Sequence, residues 1–430
     1  MKRRDFLVGA VTASTIAAVE TRSKAARSVN DQVNVAMMGV RGRGPRLIEC
    51  FASMSDVNIS YVCDVDQNVV EPAMKMIEQA KGKRPPLVDD IRRVLDDKSV
   101  DAVIISTPVH WHAPGTILAC EAGKDVYVEK PASHNLREGR LMVEAARKYD
   151  RVVQHGTQSR SRPVTKRFVE FVQSGKIGDL LMAKVWNAQM RRNIGRKHDE
   201  PVPSGINYDI WSGPGTVLPF NRNHFHSTYN WHWHYGAGDL GNDSVHWLDV
   251  ARWALNLGYP NKVSGMGRKL YFDDDQQTPD TQNVTYNYKD KVLMYEQRLW
   301  NRYKMDGSEN GVTVYGTAGM AQHGRWHGRQ FGFRVFDQEG KQVHFEEEPP
   351  KLSRHCRNFI DCIRSREKPN ADIELGHVST ALCHLGNIVA RTGRNLLFDP
   401  QTETILDDPE ASRLLTREYR QHWSSRPFLT

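Results

Sequence analysis

The sequence predicts an α/β chain, with a doubly wound parallel sheet first and then an α+β part built on a large, mostly antiparallel open sheet. Three observations carry that expectation. Between Val33 and His155 short apolar runs alternate with helical segments, as parallel strands joined by crossovers require. Residues 102–106 are apolar almost without interruption, which suits a sheet buried on both faces. Beyond Gly156 the pattern turns to period-two alternation with hairpin turns, as in 284–288 against 292–298 and 331–336 against 342–345 across Glu339-Gly340.

Taken in order, the chain opens on Lys2-Arg3-Arg4-Asp5-Phe6-Leu7, an apolar stretch to Val19 and small residues around 23–26. Paired arginines before such a stretch predict a twin-arginine export signal over 1–28 and a periplasmic protein; the segment is left out of the fold. A first domain is expected over 29–157. A second is expected over 158–430, its last helices packing back.

A strand at 33–38 runs into Gly39-Val40-Arg41-Gly42-Arg43-Gly44, and Pro45 opens a helix to about Met54. Glycines let a ligand approach the backbone closely, and the helix start offers free N–H groups to a phosphate. Arg41 stands at the middle glycine position of a dinucleotide-binding loop, with Gly42 beside it to compensate. A second strand, 58–63, ends in Asp64. That acid lies 20 residues past Gly44, the interval at which a Rossmann-type sheet places its ribose-binding acid. Val65-Asp66-Gln67 offer no arginine for a 2′-phosphate, so NAD is expected over NADP.

Helices follow at 69–80 and 89–95, then the strand 102–106 and the turn Thr107-Pro108-Val109-His110-Trp111-His112. A helix at 114–123, a strand at 125–128, a helix at 136–149 and a strand at 152–155 complete the alternation. The strand 125–128 ends in Glu129-Lys130-Pro131. A lysine there sits at the carboxyl edge of the sheet, where open α/β sheets bind ligands. Pro131 keeps Lys130 out of the α region and permits a cis bond. Further helices are expected at 163–174, 350–366 and 373–392, with a last one begun by Asp407-Asp408-Pro409-Glu410.

Composition narrows the partners. The net charge of +8 owes half its value to the first 28 residues, so the remainder gives no basic footprint for nucleic acid. No apolar run approaches the ~20 residues of a membrane helix. The six cysteines form no C-x-x-C pair; Cys50, Cys63 and Cys120 read as small core residues, and a disulfide among Cys356, Cys362 and Cys383 is compatible with the sequence but not indicated by it. The open second sheet needs a cover on its outer face, commonly another copy of the chain, so a homo-oligomer is expected.

Residues 207–253 have the most unusual composition. Tyr208, Asp209, Trp211, His224, His226, Trp231, His232, Trp233, His234 and Tyr235 precede a glycine-rich run, and a helix opens at Asn242. On that helix Asn242, His246 and Asp249 are expected to share a face. The histidine pairs could ligate a metal, but no further ligands stand at a recognisable spacing, and no metal is assigned. Aromatic faces interleaved with histidines suit a carbohydrate better, packing on sugar C–H faces while His or Asn bonds hydroxyls.

The motifs 107–114, 122–131, 242–249 and 369–377 together resemble the Gfo/Idh/MocA oxidoreductases, over about 33–423. Glu129-Lys130-Pro131 matches that family's hallmark. The resemblance implies an NAD-dependent enzyme in which Lys130 and His246 are catalytic, with Lys130 between nicotinamide and substrate and His246 as acid/base. It implies cofactor contacts from Gly39, Arg41, Gly42, Arg43, Gly44, Asp64, Thr107, Pro108, His110, Trp111, His112, Glu129, Lys130 and Gln158. Substrate contacts are expected from Trp211, His226, Trp231, His234, Asn242, Asp243 and His246. One position departs: the family's dehydrogenases usually carry Asp four residues before the histidine, where this chain has Asn242, which takes no proton. Three readings stand. They are oxidation of a sugar, polyol or glycoside hydroxyl with tightly bound NAD, a redox-neutral NAD-dependent glycoside hydrolase, and a non-catalytic sugar- or NAD-binding protein.

Overall fold

The computed structural model describes residues 32–420, so the export signal expected at 1–28 lies outside the described residues, as does the chain beyond Arg420. The first sheet is parallel. Its strands are β1 (Val33–Met38), β2 (Val57–Cys63), β3 (Leu87–Val88), β4 (Ala102–Ile105), β5 (Asp125–Val128) and β6 (Val153–His155), in the order β3-β2-β1-β4-β5-β6. Strands β4 and β5 are buried at every position, as expected when helices cover both faces. Those helices are α1 (Gly44–Ala52), α2 (Glu71–Lys81), α3 (Arg92–Leu95), α4 (His112–Glu121) and α5 (Leu136–Lys148). The order reverses between β1 and β4, and a crevice opens there beyond the carboxyl ends of the strands.

After α6 (Pro163–Gln173), strand β7 (Leu180–Asn187) enters a second, ten-stranded sheet. From there the chain runs to Asp239 with no strand, only α7 (Tyr208–Ser212) and a 3₁₀ segment at His226–Trp231. The helix expected to open at Asn242 begins differently. Leu240–Ser244 forms a π-turn, and α8 (Val245–Ala254) continues it. The wider turn puts Asn242 and Asp249 in separate surroundings: Asp249 is fully buried and takes Arg160 and Ser379 instead.

The remaining strands are β8 (Lys262–Arg268), β9 (Thr281–Asn287), β10 (Val292–Arg298), β11 (Asn310–Gly316), β12 (Gly319–Gly324), β13 (Phe331–Phe336), β14 (Gln342–Glu348), β15 (Leu396–Asp399) and β16 (Thr404–Leu406). They order as β14-β13-β12-β11-β7-β10-β9-β8-β15-β16, antiparallel except where β10 meets β7. Between them come α9 (Ser353–Ser365) and α10 (Ile373–Thr392), and α11 (Pro409–Arg413) follows β16. Helix α9 returns to the first sheet, giving Cys356, Phe359, Ile360, Cys362 and Ile363 to the core around β1. All six cysteines are free; Cys356 faces Cys50 of α1 across this contact. Among the described residues no helix is long and apolar enough to cross a membrane.

Candidate active site

The crevice between β1 and β4 is a cleft of about 460 Å³. Its floor is the glycine loop. Gly39 has φ +87°, and a Cβ there would lie 2.9 Å from the Ser106 carbonyl carbon and the Thr107 nitrogen. A Cβ on Gly44 would lie 2.8 Å from the Gly39 carbonyl oxygen, so these two positions need glycine for space. Gly42 needs it for conformation, at φ +55° with open space around it. It supplies the freedom that Arg41 lacks one position earlier. Asp64 closes the loop: its carboxylate accepts from the Val40 and Asp66 backbone N–H groups, each at 3.0 Å. Burial raises the Asp64 carboxyl even so.

On the β4 side the cleft is lined by Thr107, Pro108, Trp111 and His112. The Thr107 hydroxyl meets no partner among the described residues. The His112 ring joins the Thr107 carbonyl, at 2.9 Å, to the Pro131 carbonyl, at 2.6 Å. His110 does not reach the cleft. It is fully buried, with Nε2 2.6 Å from the Trp211 carbonyl oxygen and its ring edge-on to Trp211. Burial lowers His110 to about 3, so the ring is neutral and packs as an aromatic.

Lys130 stands at the end of β5, and its peptide bond to Pro131 is cis. Its ammonium donates to the Asn242 carbonyl and lies 3.3 Å from the Asn242 side-chain oxygen. The Asn242 amide in turn donates to buried Asp239, at 3.1 Å. Arg191, in the chain after β7, pairs with Asp239 at 2.9 Å and itself lines the cleft. Asn242 therefore holds the lysine through oxygen atoms and passes no proton. Burial holds the Lys130 ammonium below its ordinary range, against the pull of Glu129 and Asp243. Glu129 is buried, and burial alone would raise its carboxyl; the Arg43 guanidinium, 3.1 Å away, and Lys130 keep it low.

His246 lies in the first turn of α8, set back from the cleft wall, with Nδ1 unpartnered among the described residues. Burial, then Lys130, Arg162 and Arg43, hold its imidazole well below the usual range, so it is neutral near pH 7. Asp243 points the other way, toward the second sheet, accepting from Gln189 at 2.8 Å and Asn310 at 3.0 Å. Gln158 opens the 3₁₀ turn after β6 and is not part of the cleft wall, and neither is Gly44.

The strandless stretch after β7 covers the cleft's other end. Trp211, Phe225, His226, Tyr229, Asn230 and Trp231 line it. His226, at φ +51°, donates to Asp66 at 2.9 Å. Trp211 packs face to face with Tyr208 and edge-on to Tyr235, inside a small aromatic core. Much of the aromatic richness of 207–235 is thus structural. His234 bonds the Thr216 carbonyl, away from the cleft. No group of three or more metal-ligating side chains gathers among the described residues. Sequence reasoning missed Arg191, Asp66 and Tyr229. Asp66 lay two residues past Asp64 and was readable; the other two sit in a stretch with no periodicity.

The fit to a dinucleotide is good on geometric grounds: two glycines that cannot carry a Cβ, an unpartnered Thr107 hydroxyl in the wall, and an acid at the end of β2. Family models agree. Residues 33–157 match the NAD-binding Rossmann fold of the Gfo/Idh/MocA oxidoreductase family, and 184–425 match that family's C-terminal alpha/beta domain. A glycosyl hydrolase family 109 protein from Shewanella putrefaciens is 35% identical over 167 residues, 34% of this chain and 36% of that protein. An alpha-N-acetylgalactosaminidase from Shewanella oneidensis is 32% identical over the same length, again 34% and 36% of the two chains. These matches span about a third of the relatives' length. The WlbA dehydrogenase from Bordetella pertussis, solved with NADH and UDP-GlcNAcA, shares the fold. Its TM-score is 0.64 at 18% identity, covering 86% of this chain and 99% of that one.

Proposed function

The chain belongs to the Gfo/Idh/MocA oxidoreductase family, and from that premise we propose that it oxidises a hydroxyl of a sugar, polyol or glycoside using NAD held in the cleft. The observation that carries this is Lys130: a buried ammonium at the carboxyl edge of the sheet, between the glycine loop and the π-turn, anchored on Asn242. A nicotinamide bound in the cleft supplies a hydride acceptor. The protein's own part is to place the hydroxyl against Lys130, whose charge stabilises the alkoxide as it develops. His246, neutral at working pH, is the group available to take the hydroxyl proton. Asn242 orients the lysine. Asp64 and Asp66 set two carboxylates beside one arginine, Arg41, at the ribose end, which favours NAD over a cofactor carrying a 2′-phosphate.

A second reading is a redox-neutral glycoside hydrolase, and the similarity to family 109 proteins supports it. Export through the expected signal also favours it, because outside the cytoplasm no NAD pool recycles a released cofactor. Incubating NAD-loaded protein with a glycoside panel, while following NADH absorbance and free sugar together, separates the two. NADH accumulating in step with oxidised sugar supports net dehydrogenation; aglycone release without NADH supports hydrolysis. Lys130→Ala should cut turnover by roughly 10²–10³-fold, the scale of losing one preorganised charge stabiliser, while NAD affinity changes little. Full turnover in that variant overturns both readings.

A further inference from the structure

Most buried arginines here have their charge or their donors met. Arg160 is held by Asp249 at 2.8 Å, and the partly buried Arg191 of the cleft wall by Asp239 at 2.9 Å. Arg252 makes no ion pair among the described residues but donates to the Leu257 and Leu375 carbonyls and the Ser379 hydroxyl. Arg162 differs. It is 6% exposed, and its guanidinium makes one hydrogen bond, to the Ser159 hydroxyl at 2.9 Å, with no ion pair among the described residues. Its carbon lies 3.5 Å from the centroid of the Phe331 ring. Arg325 approaches the same ring, at 5.4 Å, also with no ion pair among the described residues. Two cations on one ring repel each other, and burial with Arg325 nearby lowers Arg162 to about 9. Glu348 is a carboxylate whose field offsets this, and its contact is with Arg354, at 3.5 Å.

This cation pair is wired to the catalytic centre. Arg325 donates to the Asn310 side-chain oxygen at 3.0 Å, and Asn310 donates to Asp243 at 3.0 Å. Asp243 adjoins Asn242, which holds Lys130. Arg162 and Lys130 are the strongest charges acting on His246. A buried guanidinium without a counter-ion costs free energy that a bound anion recovers, and two guanidinium groups beside one ring offer an oxyanion several donors.

We infer that Arg162 and Arg325 form a subsite for an oxyanion carried by the substrate, so that the substrate is an acidic carbohydrate bearing a carboxylate, sulfate or phosphate. The inference rests on the reading of the cleft as a site of carbohydrate oxidation and deepens it. The anion's role is positional: it fixes one end of the sugar at Phe331 while a hydroxyl meets Lys130.

The test is calorimetric binding to the NAD-loaded full chain, using a neutral pyranoside and its uronate, sulfate ester and phosphate ester, with turnover measured on the same four compounds. At least one acidic sugar should bind 10-fold or more tighter than the neutral parent, and which one does identifies the anion. In Arg162→Gln and in Arg325→Gln the acidic-to-neutral ratio should fall to within about two-fold of one. Arg325 is the less buried, so its variant keeps the test open if Arg162→Gln fails to fold. Equal binding of acidic and neutral sugars by the parent protein, or a ratio that survives Arg325→Gln, overturns the subsite. Arginine-dependent binding without turnover of any sugar leaves the subsite standing and sinks the oxidation reading. Equal binding with turnover does the reverse.

Discussion

Glu403 shows how much one carboxylate can hold. One of its oxygens accepts from Arg140 at 2.9 Å and Tyr259 at 2.9 Å, the other from His377 at 3.0 Å. These contacts join α5, α10 and the β15–β16 turn. Burial alone would raise the Glu403 carboxyl, but hydrogen bonds from His377 and Arg140 bring it down to about 2. The folded-state pKa is therefore below the unfolded one, and the stabilisation is present above about pH 4.5 and lost as pH falls toward 2. A shift of that size corresponds to about 3–4 kcal/mol, which solvent screening of this half-buried group reduces to about 2–3 kcal/mol. Glu403→Gln should lower stability by that amount at pH 7, and the gap between variant and parent should close progressively from pH 4.5 downward. Urea melts at pH 7, 4.5 and 3 check this; a gap that stays constant with pH would show that the loss is packing and not charge. Residues of this kind are hard to read in a sequence. Glu403 stands in a polar turn, and its partners lie up to 263 residues away.

At the scale of elements, what was legible was local. Strand β1, the glycine loop, Asp64 at the end of β2 and Lys130 at the end of β5 each follow from a short run of residue types and its spacing. The π-turn at Leu240–Ser244 was not, because it opens the helix, and no preceding helical turn exists against which its shift in phase could be read. Nor was the docking of 204–231 onto the end of β2, which tertiary contacts alone determine. Gln67 donates to the Gly205 carbonyl at 2.9 Å, Asn207 to that of Val65 at 2.8 Å, and His226 to Asp66 at 2.9 Å. This strap crosses the end of the cleft, where it would hinder release of a bound cofactor. His226→Gly suits the local φ of +51° and removes the side chain's contacts with Asp66 and the Phe225 ring. Losing a hydrogen bond to a charged group should speed NADH release by about 10-fold or more. Burial, then Arg41, lowers His226 to about 4, so the contact is made by a neutral ring. In the parent protein, then, the release rate should be flat between pH 5.5 and 8. Stopped-flow NADH fluorescence measures both, and an unchanged rate in the variant means the strap does not retain cofactor.

For the whole molecule, the two sheets are not independent bodies. Helix α9 fills part of the first sheet's core, and Arg366 pairs with Asp125 while Arg357 and Arg364 pair with Asp56. The ten-stranded sheet, by contrast, has one face clothed by α6, α8 and α10 and another whose alternate residues look outward. Met294 is 38% exposed at the middle of β10 and Met266 46% exposed on β8, among Asn283, Thr285 and the Lys184–Glu296 pair. Apolar side chains at the centre of a broad sheet face, ringed by polar ones, have the make-up of an interface core with its rim. Assembly of copies through this face follows as the expectation for the intact protein. It places the contact on the side of the sheet away from Lys130, so each cleft would work alone. Met294→Arg should then yield monomers at micromolar concentration in sedimentation velocity, with cofactor affinity unchanged. A parent protein that sediments as a monomer, or a variant that still assembles, means the sheet is covered by something other than its own copy.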